Sequence, residues 1–333
     1  MGILALWEFT DSGCEPQTVQ THINRNAEPV DTVLRILSWN IHYGVGPRDD
    51  RGDLRTKQQV LSYLDGIVEV IRKSDADIVC LQETDFDSHR SHGIDQVQYI
   101  ARALAYPYII KTVTWNVAYL PYPYWPISQH YGHMHSGQAV LSRYPAETVE
   151  SFRHPQPASN AWWYNKFYLH RTTQQVDFVL PGGQRLALFN VHLEAFDQVN
   201  RELQAQQLHD LIAKAVTEDK AVLALGDFNA IPKGAKLRKA FEDEPWTDMT
   251  TDSTLEIIKT GTGLADALET IMQTDDHPDM WTFPAHKPNR RLDYILASPQ
   301  WRVVFARAVD EPAPMSDHRA VEALLEYSES TDK

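Results

Sequence analysis

Cysteine is scarce: the 333 residues hold only Cys14 and Cys80. Two thiols cannot form the disulfide framework of a small secreted scaffold, and Cys80, inside the apolar run Asp77–Leu81, reads as a buried thiol. No stretch approaches the ~18 consecutive apolar residues of a membrane span. Apolar Met1–Phe9 has no basic segment before it and runs into Glu8 and Asp11, so no signal peptide is read there. A reducing cytoplasm is the expected compartment, with secretion left open for a form whose leader has been removed. Positive charge is also short, 31 Lys and Arg against 45 Asp and Glu, for a net charge of −14. Such a chain repels polyanions at long range, which weighs against sequence-independent binding of long nucleic acid. A local basic groove or a bound divalent metal reverses that sign at a site. Repeats, low-complexity linkers and long charge runs are absent, which excludes solenoids and disordered tails.

What remains is ordinary for a globular chain, 43% apolar and 23% charged. A chain this long can bury a large core without staples. At roughly 150 residues per domain, length alone suggests two domains. The segments alternate too continuously for a break, so one domain over 31–328 is expected, with residues 1–30 as an arm lying on it. Val33–Ile41 reads as a strand, and Leu54–Lys73 as an amphipathic helix with Val60, Leu64, Ile67 and Ile71 on one face. Strands are expected at Asp77–Gln82, Tyr108–Thr114, Gln138–Ser142, Gln175–Leu180, Arg185–Leu193, Ala221–Leu225, Leu292–Ala297, Val303–Val309 and Val321–Tyr327. Helices are expected at Asp95–Ala105, Gln198–Val216 and Lys236–Phe241. Pro181, Gly182 and Gly183 make a hairpin of their flanking strands. The mixture implies two sheets packed face to face with helices outside.

The informative polar residues stand where apolar runs end: Asn40, Glu83, His192, Asp227 with Asn229, Asp293, and Asp317 with His318. Strand ends are where a sheet holds a rigid constellation at its open edge. Oxygen donors such as Glu83, Asp293 and Asp317, with amide oxygens nearby, suit Mg²⁺ or Mn²⁺; no Cys/His cluster has zinc spacing. Histidines beside acids suit proton transfer or charge stabilisation at a phosphoryl centre. Singly, each has an unremarkable alternative: Asn40 a turn asparagine, Glu83 a solvated loop acid, Asp227–Asn229 a tight turn, Asp317–His318 a surface pair. Their common order and placement favour a site.

The motifs Trp39-Asn40, Leu81-Gln82-Glu83, Gly226-Asp227-Phe228-Asn229, Leu292-Asp293-Tyr294 and Ser316-Asp317-His318 resemble, in order, those of the endonuclease/exonuclease/phosphatase superfamily. Gly137–Pro145, Val191-His192-Leu193 and Trp281–Pro284 are similar to its supporting segments, so the resemblance covers about residues 33–326. It implies an α+β fold, a four-layered αββα sandwich of two packed mixed sheets, and a divalent-metal hydrolase of phosphate esters. Carried over by position, Glu83 would be the main metal ligand with Asn40 beside it and Asp317 in support, directly or through water. Asp227 would orient and deprotonate the attacking water, and Asn229 would hold that water and the phosphate. His318 would contact phosphate oxygens, with Asp293 fixing its imidazole and favouring imidazolium. No serine or cysteine nucleophile is needed, and direct water attack implies in-line displacement with inversion.

His192 stands where the abasic-site endonucleases of this superfamily usually have asparagine, so that branch is disfavoured. Gln138 departs from a common Gly-Asn-Ala pattern and is left out of the catalytic set. His130, His133 and His135 could be a mobile loop's imidazoles, a phosphate contact or a second metal site. Two aromatic insertions, Trp115–Tyr131 and Ala161–Tyr168, read as a satellite core, a membrane-interface wedge or a stacking platform. With Lys166 and Arg171 their nearest cations and no Lys or Arg interleaved beyond these, they show no nucleic-acid groove. Arg171 could reach a phosphate at the rim; Arg143, Arg290 and Arg291 default to salt bridges. The expected activity is a Mg²⁺-dependent (or Mn²⁺-dependent) phosphodiesterase acting on a lipid headgroup or small phosphate ester. The alternatives are a metal-dependent nuclease and a non-catalytic scaffold. Oligomeric state, one metal or two, and monoester against diester are beyond the sequence.

Overall fold

The computed structural model describes residues 16–20 by backbone alone, and residues 33–47, 54–311 and 313–328 in full. One sheet has the strand order β1 (Pro16–Gln20), β4 (Tyr108–Leu120), β5 (Gly132–Ser142), β3 (Ile78–Asp85), β2 (Val33–Asn40), β13 (Val321–Tyr327), β12 (Trp301–Ala308). The other runs β10 (Ala265–Asp266), β11 (Asp293–Ala297), β9 (Ala221–Asp227), β8 (Arg185–His192), β7 (Thr172–Val179), β6 (Ala146–Arg153). Both are mixed: β2 and β3 are parallel, β8 and β9 are parallel, and the remaining neighbours are antiparallel.

Strand alternation explains the layers. Leu34, Ile36, Ile78, Cys80, Leu186, Leu188, Leu223 and Leu225 share one core between the sheets. Their neighbours Leu37, Trp39, Val79 and Leu81 face outward against α1 (Lys57–Ser74) and α2 (Gln96–Leu104). On the far side Phe189, Val191, Val222 and Ala224 pack under α4 (Gln198–Thr217) and α5 (Thr254–Lys259). The result is the expected four-layered αββα sandwich. Its helices start where the chain supplies caps: Thr56 and Gln59 form a capping box on α1, and Asp95 and Asp197 cap α2 and α4.

Polar side chains also tie the sheets together. Gln82 Nε2 donates to Asn190 Oδ1 at 2.7 Å, and Asn190 Nδ2 donates to Ala139 O at 3.1 Å. Gln138 Nε2 donates across the gap to Asn190 O at 2.9 Å and Thr172 O at 3.2 Å. Gln138 is therefore a cross-sheet strut, with its amide occupied inside the sandwich.

Several expectations need correction. No helix forms at Lys236–Phe241. There the buried Arg238 guanidinium donates to the carbonyls of Pro232, Met249 and Asp252, so side-chain bonds organise the loop, and Leu237 faces outward. The short helices α5 and α6 (Ala267–Met272), the strands β6 and β10, and the one-turn α3 (Trp162–Asn165) carried too little periodicity to be read. Within the arm, β1 adds an antiparallel edge strand to β4; the rest of residues 1–30, Cys14 included, lies outside the described residues.

Gly226 is the position where local geometry is least forgiving. It has φ +145°, and a Cβ there would meet Val191 O at 1.9 Å. Gly226→Ala is expected to cost at least about 3 kcal/mol, lowering Tm by ~5 °C or more. A thermal melt within a degree of wild type would contradict that.

Candidate active site

The topology brings distant residues to one edge. The parallel pairs β2/β3 and β8/β9 end there, delivering Asn40, Glu83, His192 and Asp227. Their antiparallel neighbours begin there: Asp293 opens β11 opposite Asp227, and Asp317 and His318 precede β13, whose Val321 pairs with Ser38 of β2. Local backbone conformations complete the edge. Glu83 (φ 52°), Asn229 (φ 49°), His42 (φ 45°) and Tyr43 (φ 44°) are all left-handed, the kind of strained backbone that gathers at functional sites.

Asp227 is buried and held from two sides. Its Oδ1 accepts from the Asn229 backbone N–H at 2.9 Å, and its Oδ2 accepts from Asn40 Nδ2 at 3.0 Å. Burial, with Asp293 nearby, pushes the Asp227 carboxyl up to about 7, although His318 opposes this. His318 Nε2 lies 3.7 Å from Asp227 Oδ2, while its Nδ1 bonds Asp293 Oδ2 at 2.8 Å. Burial alone would lower His318. The Asp293 and Asp227 carboxylates outweigh it and push the imidazole up to about 10. Trp39 Nε1 donates to His318 O at 2.8 Å, and the Phe283 ring lies 4.7 Å from the imidazole, fixing the loop and the ring.

Glu83 accepts from Asn40 Nδ2 at 3.2 Å, so a single amide group bridges the Glu83 and Asp227 carboxylates. Asn40 Oδ1 accepts the His42 backbone N–H at 3.1 Å. Asp317 lies on the His42 side, its Oδ2 3.7 Å from His42 Nδ1, and Ser316 anchors its loop by donating to Asn40 O at 2.7 Å. Asn229 Nδ2 donates to Leu193 O at 3.0 Å.

His192 completes the edge, its Nε2 3.5 Å from Asp227 Oδ2 and 3.8 Å from Glu83 Oε1. The Arg171 guanidinium contacts the same nitrogen. A guanidinium only donates, so Nε2 accepts and the ring proton sits on Nδ1. Burial, then Arg171 and His318, holds His192 well below its ordinary pKa, so the ring is neutral. Arg171 itself is buried, with its Nε lacking a hydrogen bond and 4.0 Å from Glu194 Oε2. Tyr168 donates to the other Glu194 oxygen at 2.8 Å. The Arg171–Glu194–Tyr168 group is what motif reading missed: Arg171 was placed at the rim, and nothing in a single sequence marks Glu194.

All eight predicted site residues thus gather at this edge, in two subgroups joined through Asn40 and Asp227. Other candidates go elsewhere. Arg143 pairs with Asp77 and Asp75, Arg290 with Asp243 and Glu244, and Arg291 with Asp266 and Glu269. His130 bonds the Tyr119 hydroxyl at 2.6 Å.

Asp227, Asp293 and His318 can each bring a ligand atom within 4.8 Å of the others. Within this trio His318 Nδ1 and Asp293 Oδ2 are already bonded to each other at 2.8 Å. The fit is better on the Glu83 side. Glu83, Asp227, Asp293, Asp317 and Glu194 outnumber the cations Arg171 and His318, and hard carboxylate oxygens beside an amide are the donor set of a hard divalent cation.

The sequence profile of the Endonuclease/Exonuclease/phosphatase family matches residues 37–318. An inositol phosphosphingolipids phospholipase C of Schizosaccharomyces pombe is 25% identical over 88% of this chain and 68% of its own length. Among solved structures, an endonuclease/exonuclease/phosphatase from Beutenbergia cavernae is 24% identical with a TM-score of 0.63, over 89% of this chain and 72% of that one. A mannosyl-6-phosphatase of Bacteroides thetaiotaomicron, 15% identical, has a TM-score of 0.58 over 88% of this chain and 100% of that one.

Proposed function

The chain belongs to the endonuclease/exonuclease/phosphatase family, and from that premise we propose a Mg²⁺- or Mn²⁺-dependent phosphodiesterase that acts on a lipid headgroup or small phosphate ester, with residues 31–328 as one domain. That it is a phosphoric ester hydrolase follows from the family; the metal and the substrate are the proposal. The observation that carries it is the Asp293–His318–Asp227 line ending beside Glu83 under one shared amide, Asn40. The phospholipase C relative supports a lipid headgroup.

In this reading Glu83, with Asn40 and Asp317, would hold the cation. When bound, it neutralises charge on the phosphoryl oxygens and stabilises the leaving oxygen. Asp227 takes the proton of the attacking water, and Asn229 holds that water and the phosphate. The His318 imidazolium, kept charged by Asp293, faces the developing negative charge. His192, neutral, stands beside Asp227 and presents Arg171 as a second fixed cation.

Hydrolysis of bis-(p-nitrophenyl) phosphate, sphingomyelin micelles and plasmid DNA, with Mg²⁺ and with EDTA, tests this. Turnover of the first two that EDTA abolishes and Mg²⁺ restores is expected. Preference for plasmid DNA would replace the substrate reading with a nuclease, and turnover insensitive to EDTA would remove the cation. Among the described residues no helix is long and apolar enough to cross a membrane.

A further inference from the structure

The two aromatic insertions divide in space. Trp115, Tyr131 and Phe167 turn inward onto Val117, Leu120 and Met134, forming a satellite core that binds the insertions to each other; Trp115 Nε1 also donates to Phe167 O at 2.8 Å. Most of the others turn outward. The β4–β5 hairpin tip exposes Tyr122, Tyr124, Ile127 and Trp125, the last 78% exposed. The second insertion exposes Trp162 (68%) and Trp163, and the start of α4 exposes Phe196 (84%), just before it, and Val199 in its first turn. That third segment is tied to the chain leading into the second: Ser159 donates to Asp197 at 2.5 Å and Asn200 to Pro155 O at 3.0 Å. The hairpin is also held in shape, with Tyr131 N–H donating to Tyr122 O at 2.8 Å and Leu54 N–H to Gln129 at 2.7 Å.

This surface adjoins the candidate site through Tyr168, which reaches Glu194, and Arg171, which reaches His192. It carries little charge: residues 121–131 contain no Asp, Glu, Lys or Arg, and the other two segments add Lys166 and Asp197, in a chain of net charge −14. Tyrosine and tryptophan suit a boundary that is apolar on one side and wet on the other. An acidic protein is repelled by anionic lipid, and a patch whose one lysine is Lys166 offers it little compensation. We infer that these three segments form one docking surface for a zwitterionic lipid bilayer, which sets the enzyme at the headgroup layer with its site facing the phosphate. The inference deepens the lipid-headgroup reading and rests on it.

The test is flotation of the full chain with phosphatidylcholine vesicles in EDTA, so that binding is read without turnover. The wild type is expected to float, and phosphatidylserine vesicles to bind it no better. The double variant Trp125→Ser, Trp162→Ser should lose ~10-fold or more of its partitioning, since each ring removes buried apolar area. Its Mg²⁺-dependent turnover of soluble bis-(p-nitrophenyl) phosphate should stay within about twofold of wild type, the change expected for solvent-facing residues. Wild type that stays with the unfloated protein, a variant that floats equally well, or binding confined to anionic vesicles each overturns the surface. Single-stranded oligonucleotide bound in place of vesicles, and lost in the variant, overturns it too and assigns a base-stacking platform. The two readings fail separately: vesicle binding without phosphodiester turnover sinks the proposed activity alone, and turnover of soluble ester without vesicle binding sinks the docking surface alone.

Discussion

Asp227→Asn is expected to lower Mg²⁺-dependent turnover of bis-(p-nitrophenyl) phosphate by about 10²–10⁴-fold, the range for loss of a general base, without lowering Tm. The two halves have one cause. Asp227 is buried, and burial with Asp293 beside it raises its carboxyl pKa, so its charge is held at a cost to stability. A neutral amide of the same shape removes that cost. It keeps an oxygen for the Asn229 N–H, though its NH₂ then opposes Asn40 Nδ2 and offsets part of the gain. Low activity with unchanged or raised Tm is the signature of a residue kept for chemistry. Retained turnover would move the base elsewhere, and a large fall in Tm would make Asp227 structural.

Asp293→Asn should show itself in the pH profile. In the wild type, His318 is raised to about 10 against burial, chiefly by the Asp293 carboxylate and then Asp227. Activity that needs imidazolium at His318 and carboxylate at Asp227 is therefore bell-shaped, with an alkaline limb near about 10 and an acid limb set by Asp227. Removing the Asp293 charge leaves burial to pull His318 down, so the alkaline limb should move down by ~2 units or more while the acid limb does not rise. Stability follows the same proton. A histidine raised in the folded state stabilises fully below its unfolded pKa of about 6.5, and this contribution is lost as pH rises through the folded value. Wild-type Tm is thus expected to fall between pH 6.5 and 10, and the slope to flatten in the variant. An alkaline limb unmoved by Asp293→Asn would show that His318 does not carry it.

Much of this molecule is written locally. The apolar face of α1 and its capping residues Thr56 and Gln59, the alternation that separates the inner core from the two outer ones, and the hairpin at Pro181–Gly183 all depend on neighbours a few residues apart. Chain order alone places polar residues at strand ends, which is why Asn40, Glu83, His192, Asp227, Asp293 and His318 were legible as a set. Short or side-chain-organised segments were not: α5 and α6 span under two turns each, and the loop around Arg238 imitates a helical pattern that its buried guanidinium replaces.

Only the assembled sandwich decides which of these groups touch. Asn40 and Asp227 are 187 positions apart, yet one amide spans to both Asp227 and Glu83. Arg171 becomes a buried partner of His192 because β7 and β8 are adjacent and antiparallel, pairing Thr172 with His192, and that contact selects the ring tautomer. Gln138 becomes a strut because β5 faces the second sheet across the core. The aromatic insertions divide into packed and exposed rings only once the β4–β5 hairpin and the 161–168 segment have closed on each other. Residue type and order determine which chemistry is available. Desolvation and through-space charge, which shift Asp227 and His318, arise from burial and long-range pairing and exist only in the folded chain.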